Sequence, residues 1–198
     1  MKHPWELAYD TGSFSIQTQA PSVMVTLHQN NFHVGDSVLD IGCGNGRNSY
    51  FFASKGIYVD CFDVADLGWM SNVPENIKSY ITFSTSTIEN WKWKKNHYKG
   101  VILARVIQYV SDTELQTLFQ NIHDSLTEDA VVLISYSTSG GIHERNEIKV
   151  PKYIHPLKTV EASLRKLFQN VEITQGSASS VHVNYSGALE SYDIIAYK

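Results

Sequence analysis

The stretch VLDIGCGNGRNSYFFASKG, residues 38–56, places a short apolar run, Val38–Ile41, ahead of a helix-like segment, with Gly42, Gly44 and Gly46 between them. A strand, a glycine turn and a helix N-terminus in succession bring bare main chain close to a ligand, with N–H groups pointing outward. One glycine suffices for a tight turn without a ligand, and three at alternate positions point to something bound. The dinucleotide pattern G-x-G-x-x-G fails, because Arg47 stands where its third glycine belongs. A nicotinamide dehydrogenase is therefore the weakest reading. The spacing is D-x-G-x-G-x-G, with Asp40 two residues ahead of Gly42. A carboxylate there repels a pyrophosphate and suits a cationic amine. The turn thus asks for a ligand with an ammonium group and no phosphates.

The rest of the chain keeps the strand–helix rhythm and predicts an α/β layer fold with a largely parallel sheet. A helix runs from Pro21 toward Gly35, and Arg47–Lys55 forms a second, closed by Gly56. Ile57–Phe62, Tyr80–Ser84, Gly100–Ala104 and Ala130–Tyr136 read as further strands. Ser111 and Glu114 make a capping box before a helix carrying Leu115, Leu118, Phe119, Ile122 and Leu126. Leu157–Phe168 is a basic amphipathic helix. Val171–Thr174, Val181–Asn184 and Tyr192–Tyr197 are late strands, the last two pairing antiparallel at one edge. The polar segment 139–156, SGGIHERNEIKVPKYIHP, breaks the rhythm and reads as a long loop on the ligand side of the sheet.

Composition removes several classes. The 198 residues are 42% hydrophobic and 18% charged, enough for one sizeable core and too apolar for disorder. A net charge of −4 argues against an extended nucleic-acid surface. KWKK at 92–95, with Trp91 and Trp93, reads as a surface loop rather than a stacking platform. No signal-like or 18-residue apolar run occurs, so the expectation is a cytoplasmic protein with no membrane segment. Cys43 and Cys61 read as small fillers, and the eight scattered histidines give a metal site no support.

VLDIGCGNG resembles the first motif of class I S-adenosylmethionine-dependent methyltransferases. The longer run GCGNGRNSYFFASKGIYVDCFD, residues 42–63, is similar to the small tellurite-resistance type. The resemblance is detailed over 36–63 and rests on the order of elements past about residue 110. It implies a Rossmann-like, doubly wound, mostly parallel seven-stranded sheet with an antiparallel edge strand and helices on both faces. It implies one domain over 1–198, with 1–34 as an N-terminal lid or helix and 139–156 as a substrate-side loop. S-adenosylmethionine is the implied cofactor and S-adenosylhomocysteine its product.

Site residues follow position by position. Asp40, Gly42, Cys43, Gly44 and Gly46 hold the methionine part, Asp40 through the ammonium, directly or by water. Asp63 accepts from both ribose hydroxyls; the plainer reading is a helix-capping acid. Its place 21 residues after Gly42 also fits the ribose acid of nucleotide folds. Val64 packs on the adenine, and Thr87 and Ile88 meet its edge, Thr87 standing where many relatives carry Asp. Arg105 either reaches the cofactor carboxylate or pairs with an acid of the domain. Arg47 and Asn48 contact the cofactor or form a solvated first turn. Tyr9 closes over the site, and Gln108 lines its floor.

The implied chemistry is methyl transfer to a small-molecule acceptor, in line, with a base where the nucleophile needs one. His182, His155 and Tyr109 are the catalytic candidates, with Tyr136 and His143 also near the site. A lone histidine is more often structural. Relatives of the tellurite type carry a His-Arg pair in a comparable late segment, whereas Val183 follows His182 here. Methylation of RNA or protein is an alternative, although ARVIQYV, residues 104–110, lacks an NPPY-like motif. A cofactor-binding regulatory domain without turnover is the other. A monomer or a homodimer is expected.

Overall fold

The computed structural model of the chain describes residue 5 and residues 19–138, 141–145, 148–175 and 191–198. Strands β1 (Ser37–Ile41), β2 (Tyr58–Asp63), β3 (Ile81–Thr85), β4 (Tyr98–Ala104) and β5 (Leu126–Ser137) run parallel. A hairpin of β6 (Gly141–Arg145) and β7 (Ile148–Lys152) follows. β8 (Asn170–Gln175) and β9 (Ser191–Tyr197) then complete a seven-stranded sheet of order β3-β2-β1-β4-β5-β9-β8.

Both faces of this sheet are covered, which is why its central strands are nearly continuous apolar runs rather than alternating ones. One face presents Val38, Val59, Cys61, Ile102, Val131 and Leu133 to Met24 and Val25 of α1 (Val23–His28) and Phe52 and Ala53 of α2 (Arg47–Ala53). After the one-turn helix α3 (Glu75–Lys78) come α4 (Asp112–Ser125) and α5 (Leu157–Leu164). Those two cover the opposite face through Leu115, Leu118, Phe119, Ile122, Val160 and Leu164, against Leu39, Val101, Leu103, Val132 and Ile134. The capping box holds: the Glu114 N–H donates to the Ser111 hydroxyl, and the Ser111 N–H returns to the Glu114 carboxylate at 2.9 Å.

Three expectations change. Leu126 does not extend the helix; α4 ends at Ser125 and β5 begins at once, pairing Leu126 with Tyr98 ahead of a register shift. The segment 139–156 is not a bare loop but carries the β6–β7 ribbon, in which Ile142 faces Pro151 and His143 faces Val150. β9 pairs antiparallel with both β5 and β8, so it lies one place inside the edge that β8 forms. The strand expected at Val181–Asn184 lies outside the described residues.

The order places the reversal of strand progression between β1 and β4. In open α/β sheets that reversal opens a crevice at the carboxyl ends of the strands. The glycine turn leaves β1 there, and the turn at Ile107–Tyr109 leaves β4 beside it.

Candidate active site

The glycines serve different purposes. A Cβ on Gly42 would lie 2.6 Å from Cγ2 of Val106, and one on Gly46 only 2.3 Å from the ring of Trp69. Both are bare because protein packs against them. A Cβ on Gly44 meets nothing within 4 Å among the described residues, although its φ of +54° is left-handed. Of the three turn glycines, Gly44 alone has no neighbour there among the described residues. The N–H groups also run counter to expectation. Those of Gly42 and Cys43 donate to the Phe62 carbonyl at 2.8 and 3.1 Å, that of Gly46 to the Cys43 carbonyl at 2.9 Å, and that of Gly44 to Asp63 Oδ2 at 2.8 Å. Three of these N–H groups stitch the turn inward to β2.

Two carboxylates bracket it. Asp40 is 1% exposed, and its Oδ2 accepts from the Ser49 hydroxyl at 2.6 Å. Burial pushes its pKa up to about 7; Ser49 and Arg47 oppose this and Asp63 adds to it. Asp63 ends β2, and its other oxygen accepts from the Ala65 N–H at 3.1 Å. Each Asp63 oxygen therefore accepts one bond from the main chain. The capping reading holds in part, since Ala65 is two residues on, but the bond to Gly44 ties this acid to the turn.

Residues 38–129 match the profile of a family described as a methyltransferase domain. No curated protein sequence matches the chain. Among solved structures, a Burkholderia thailandensis 1,6-didemethyltoxoflavin-N1-methyltransferase, crystallised with its acceptor and S-adenosylhomocysteine, superposes with a TM-score of 0.65 at 18% identity, over 88% of this chain and 76% of that one. A Methanosarcina mazei S-adenosylmethionine-dependent methyltransferase gives 0.70 at 13%, over 91% and 99%. A Haemonchus contortus phosphoethanolamine N-methyltransferase bound to S-adenosylmethionine gives 0.66 at 16%, over 88% of this chain and 51% of its own length, so the present chain spans about half of that enzyme. The fold is that of the S-adenosylmethionine-dependent methyltransferases.

Within this methyltransferase fold the remaining residues fall around the same end of the sheet. Val64, Thr87 and Ile88 follow β2 and β3, and Ile88 packs on the core. The Thr87 hydroxyl accepts from Asn90, at 3.3 Å from its N–H and 3.1 Å from its side-chain amide. It retains its own proton to donate. Arg105 follows β4 at φ 65°, a conformation that β-carbon sterics disfavour. Burial lowers its pKa, and Asp193 of β9 is the first charge to oppose that, so the acid-pairing alternative has a named partner. Gln108 is buried, and its Oε1 has no hydrogen-bond partner among the described residues. Trp5 meets Tyr109 edge to face at 5.0 Å, so the N-terminal segment reaches this turn. Gln19 bonds to Asn45, and the Ser22 N–H donates to Asn48 Oδ1 at 2.8 Å. Asn48, 4% exposed, is thus committed to that segment and is not part of a solvated turn. Arg47 opens α2 beside Asp40. Cys43 is buried, with its thiol beside that of Cys61; both are free.

His155 takes the structural role. It is 1% exposed, its Nε2 lies 2.9 Å from both the Ile107 and Val110 carbonyls, and its Nδ1 is 3.0 Å from Asp112. Carbonyls only accept, so Nε2 carries a proton and offers no lone pair to a substrate. His155→Ala is expected to cost about 2–4 kcal/mol by orphaning these acceptors, read as a lower melting temperature. Loss of turnover at an unchanged melting temperature would restore it as a base. Tyr136 is fully buried, its hydroxyl without a hydrogen-bond partner among the described residues. Tyr9 and His182 lie outside the described residues. Among the described residues no cluster of His, Cys, Asp and Glu is arranged for a metal, and no helix is long and apolar enough to cross a membrane.

The sequence reading missed Ser49 and Asp193. Ser49 carries a weak signal, a small hydroxyl on the inward side of α2. Asp193 comes from a strand whose pairing the sequence does not reveal.

Proposed function

We propose that the chain is an S-adenosylmethionine-dependent methyltransferase acting on a small molecule. One observation carries this reading: a buried carboxylate, Asp40, with no ion-pair partner within 4 Å among the described residues, stands near the end of β1 just ahead of the glycine turn, and Asp63 accepts from the Gly44 N–H within that turn. The chemistry of the site fits the cofactor. An ammonium offsets the cost of burying Asp40, the Asp63 carboxylate at the end of β2 suits ribose hydroxyls, and four N–H groups of the turn already donate within the protein. When bound, the cofactor supplies a methyl group on a sulfonium, open to in-line attack by the acceptor's nucleophile. The protein's part is orientation and exclusion of water, which is worth up to about 7–11 kcal/mol. Asp40 fixes the amino-acid end, Asp63 the ribose, and Val64, Ile88 and Thr87 the adenine. Gln108 and Tyr109, under Trp5, bound the acceptor side. Tyr9 closing from above and His182 as a base belong to the same proposal. The likeness to the tellurite-resistance type stays confined to residues 42–63.

The test is a titration with S-adenosylmethionine across pH. In the free protein Asp40, raised to about 7, holds a proton below that pH. An ammonium favours the carboxylate, so binding below that pH releases the proton. Affinity is expected to rise up to about tenfold per pH unit below about 7 and to level off above it. Stability of the free protein moves the other way: the folded carboxyl binds protons more tightly than the unfolded one, so stability falls as pH rises from 3.8 to about 7. The groups facing Asp40 are Ser49, Arg47, Asp63 and Cys43. A flat affinity profile, or no binding at millimolar cofactor, sinks the assignment. Tight binding without turnover against a broad acceptor panel converts the enzyme reading into a regulatory one.

A further inference from the structure

The connection from β3 to β4, residues 86–97, carries no helix. Trp91 of that connection stacks on Phe62 at 4.5 Å and 18°, and so covers the carboxyl-terminal end of β2 on the face shared with α4. Tyr58 and Asp60 precede Phe62 by four and two residues, so strand periodicity puts them on the same face. Ser37 of β1 lies opposite Tyr58, and Thr82 of β3 opposite Asp60. With Tyr80, Lys94 and His97 these residues line a cavity of about 240 Å³ at the amino ends of the strands, the end of the sheet opposite the glycine turn.

The floor of this cavity is fixed from below. Tyr98 is fully buried, and its hydroxyl donates to Asp60 Oδ2 at 2.7 Å. Burial and that carboxylate raise the pKa of the phenol, so its proton stays in the bond. Lys94 Nζ donates to the same oxygen at 2.5 Å. The Asp60 side chain is 12% exposed and that of Lys94 49%. The two bonds use two of the roughly four acceptor positions of a carboxylate. The mouth is aromatic: Tyr58 is 51% exposed, and its ring lies 5.2 Å from that of Tyr80, inclined by 39°.

This lining discriminates between ligand classes. Lys94 answers Asp60, so neither an anion nor a cation meets an unbalanced charge in this pair. An apolar molecule would strip water from the ion pair and the hydroxyls without replacing its hydrogen bonds. A neutral ring bearing several hydroxyls suits the pair as it stands. Each hydroxyl both donates and accepts, so it can give to Asp60 and take from Lys94 or His97, while the C–H face of the ring lies on Tyr58. The volume admits one such ring; drug-sized ligands occupy about 300–1,000 Å³.

We infer that this cavity is a second binding site, remote from the glycine turn, for a neutral monosaccharide. The inference stands independently of the methyltransferase reading.

The experiment is a ¹H–¹⁵N NMR titration of the whole chain with D-glucose, D-galactose, D-mannose and D-ribose, each to about 100 mM, a range that captures millimolar affinities. Cyclohexanol, a ring with one hydroxyl, and inorganic phosphate are the controls. At least one sugar is expected to give saturable shifts at the amides of Tyr58, Asp60, Thr82 and His97 and none at residues 42–46. Tyr58→Ala should weaken that sugar at least about fivefold, the loss of one aromatic face, with its melting temperature kept because the ring is half exposed. Lys94→Met should weaken it comparably while leaving the Tyr98–Asp60 bond in place, and carries the test if Tyr58→Ala proves unstable. No saturable shift from any of the four sugars, shifts confined to other residues, or unchanged affinity in both variants overturns the inference. So does cyclohexanol matching the sugars, which would reduce the cavity to a site for apolar rings. Phosphate saturating the same amides more tightly than every sugar overturns it in favour of an anion site.

Discussion

Asp63→Ala is expected to weaken S-adenosylmethionine binding on the order of a thousandfold, while the protein remains folded. Two hydroxyl bonds to one carboxylate are each worth about 1.5–3 kcal/mol, and every 1.4 kcal/mol is about a factor of ten. The same carboxylate braces the turn through the Gly44 and Ala65 N–H groups, so part of the loss comes from a loosened cradle. Asp63→Asn separates the two contributions. Its amide oxygen still accepts from Gly44, but it loses the charge and one acceptor. It should recover the melting temperature and only a small part of the affinity. Calorimetry alongside thermal melting checks both. An Asp63→Ala protein that binds the cofactor within about threefold of wild type would reduce this residue to a capping acid.

Gly46→Ala and Gly44→Ala should fail in opposite ways. Both glycines sit at positive φ, where a β-carbon costs about 1–2 kcal/mol. At Gly46 the added methyl also meets Trp69 at 2.3 Å, and Trp69 is only 4% exposed and has no room to retreat. Overpacking adds about 1–3 kcal/mol, so Gly46→Ala is expected to lose about 2–5 kcal/mol in all. At Gly44 the methyl enters open space. That variant should keep most of its stability and lose its cofactor, because the methyl occupies the place where the ligand's main body lies. Denaturant unfolding gives the first quantity and cofactor titration the second. A Gly44→Ala protein that binds normally would show that the space above the turn is solvent only.

These two glycines show where sequence reading stops. The D-x-G-x-G-x-G run is a local signal, since strand, turn and helix are neighbours in the chain and their sterics show in the residues themselves. The α/β class, the capping box at Ser111 and the apolar strands at 38–41 and 100–104 were legible for the same reason. The glycines looked equivalent because a spacing does not say what stands opposite. Trp69 and Val106 lie 23 and 64 residues further on than their glycines, and only folding brings them there. His155 looked like a possible base until its ring was seen against the carbonyls of Ile107 and Val110.

The pattern of residue types settled that this chain makes a parallel α/β sheet with a bare turn at the end of its first strand and an acid on either side. Periodicity and spacing act over a few residues, so they survive in a linear string. Partner choice is a matter of long-range closure. Which glycines are packed against by side chains, which strand lies beside β5 and which acid acts on Arg105 depended on segments far apart in the chain meeting in space.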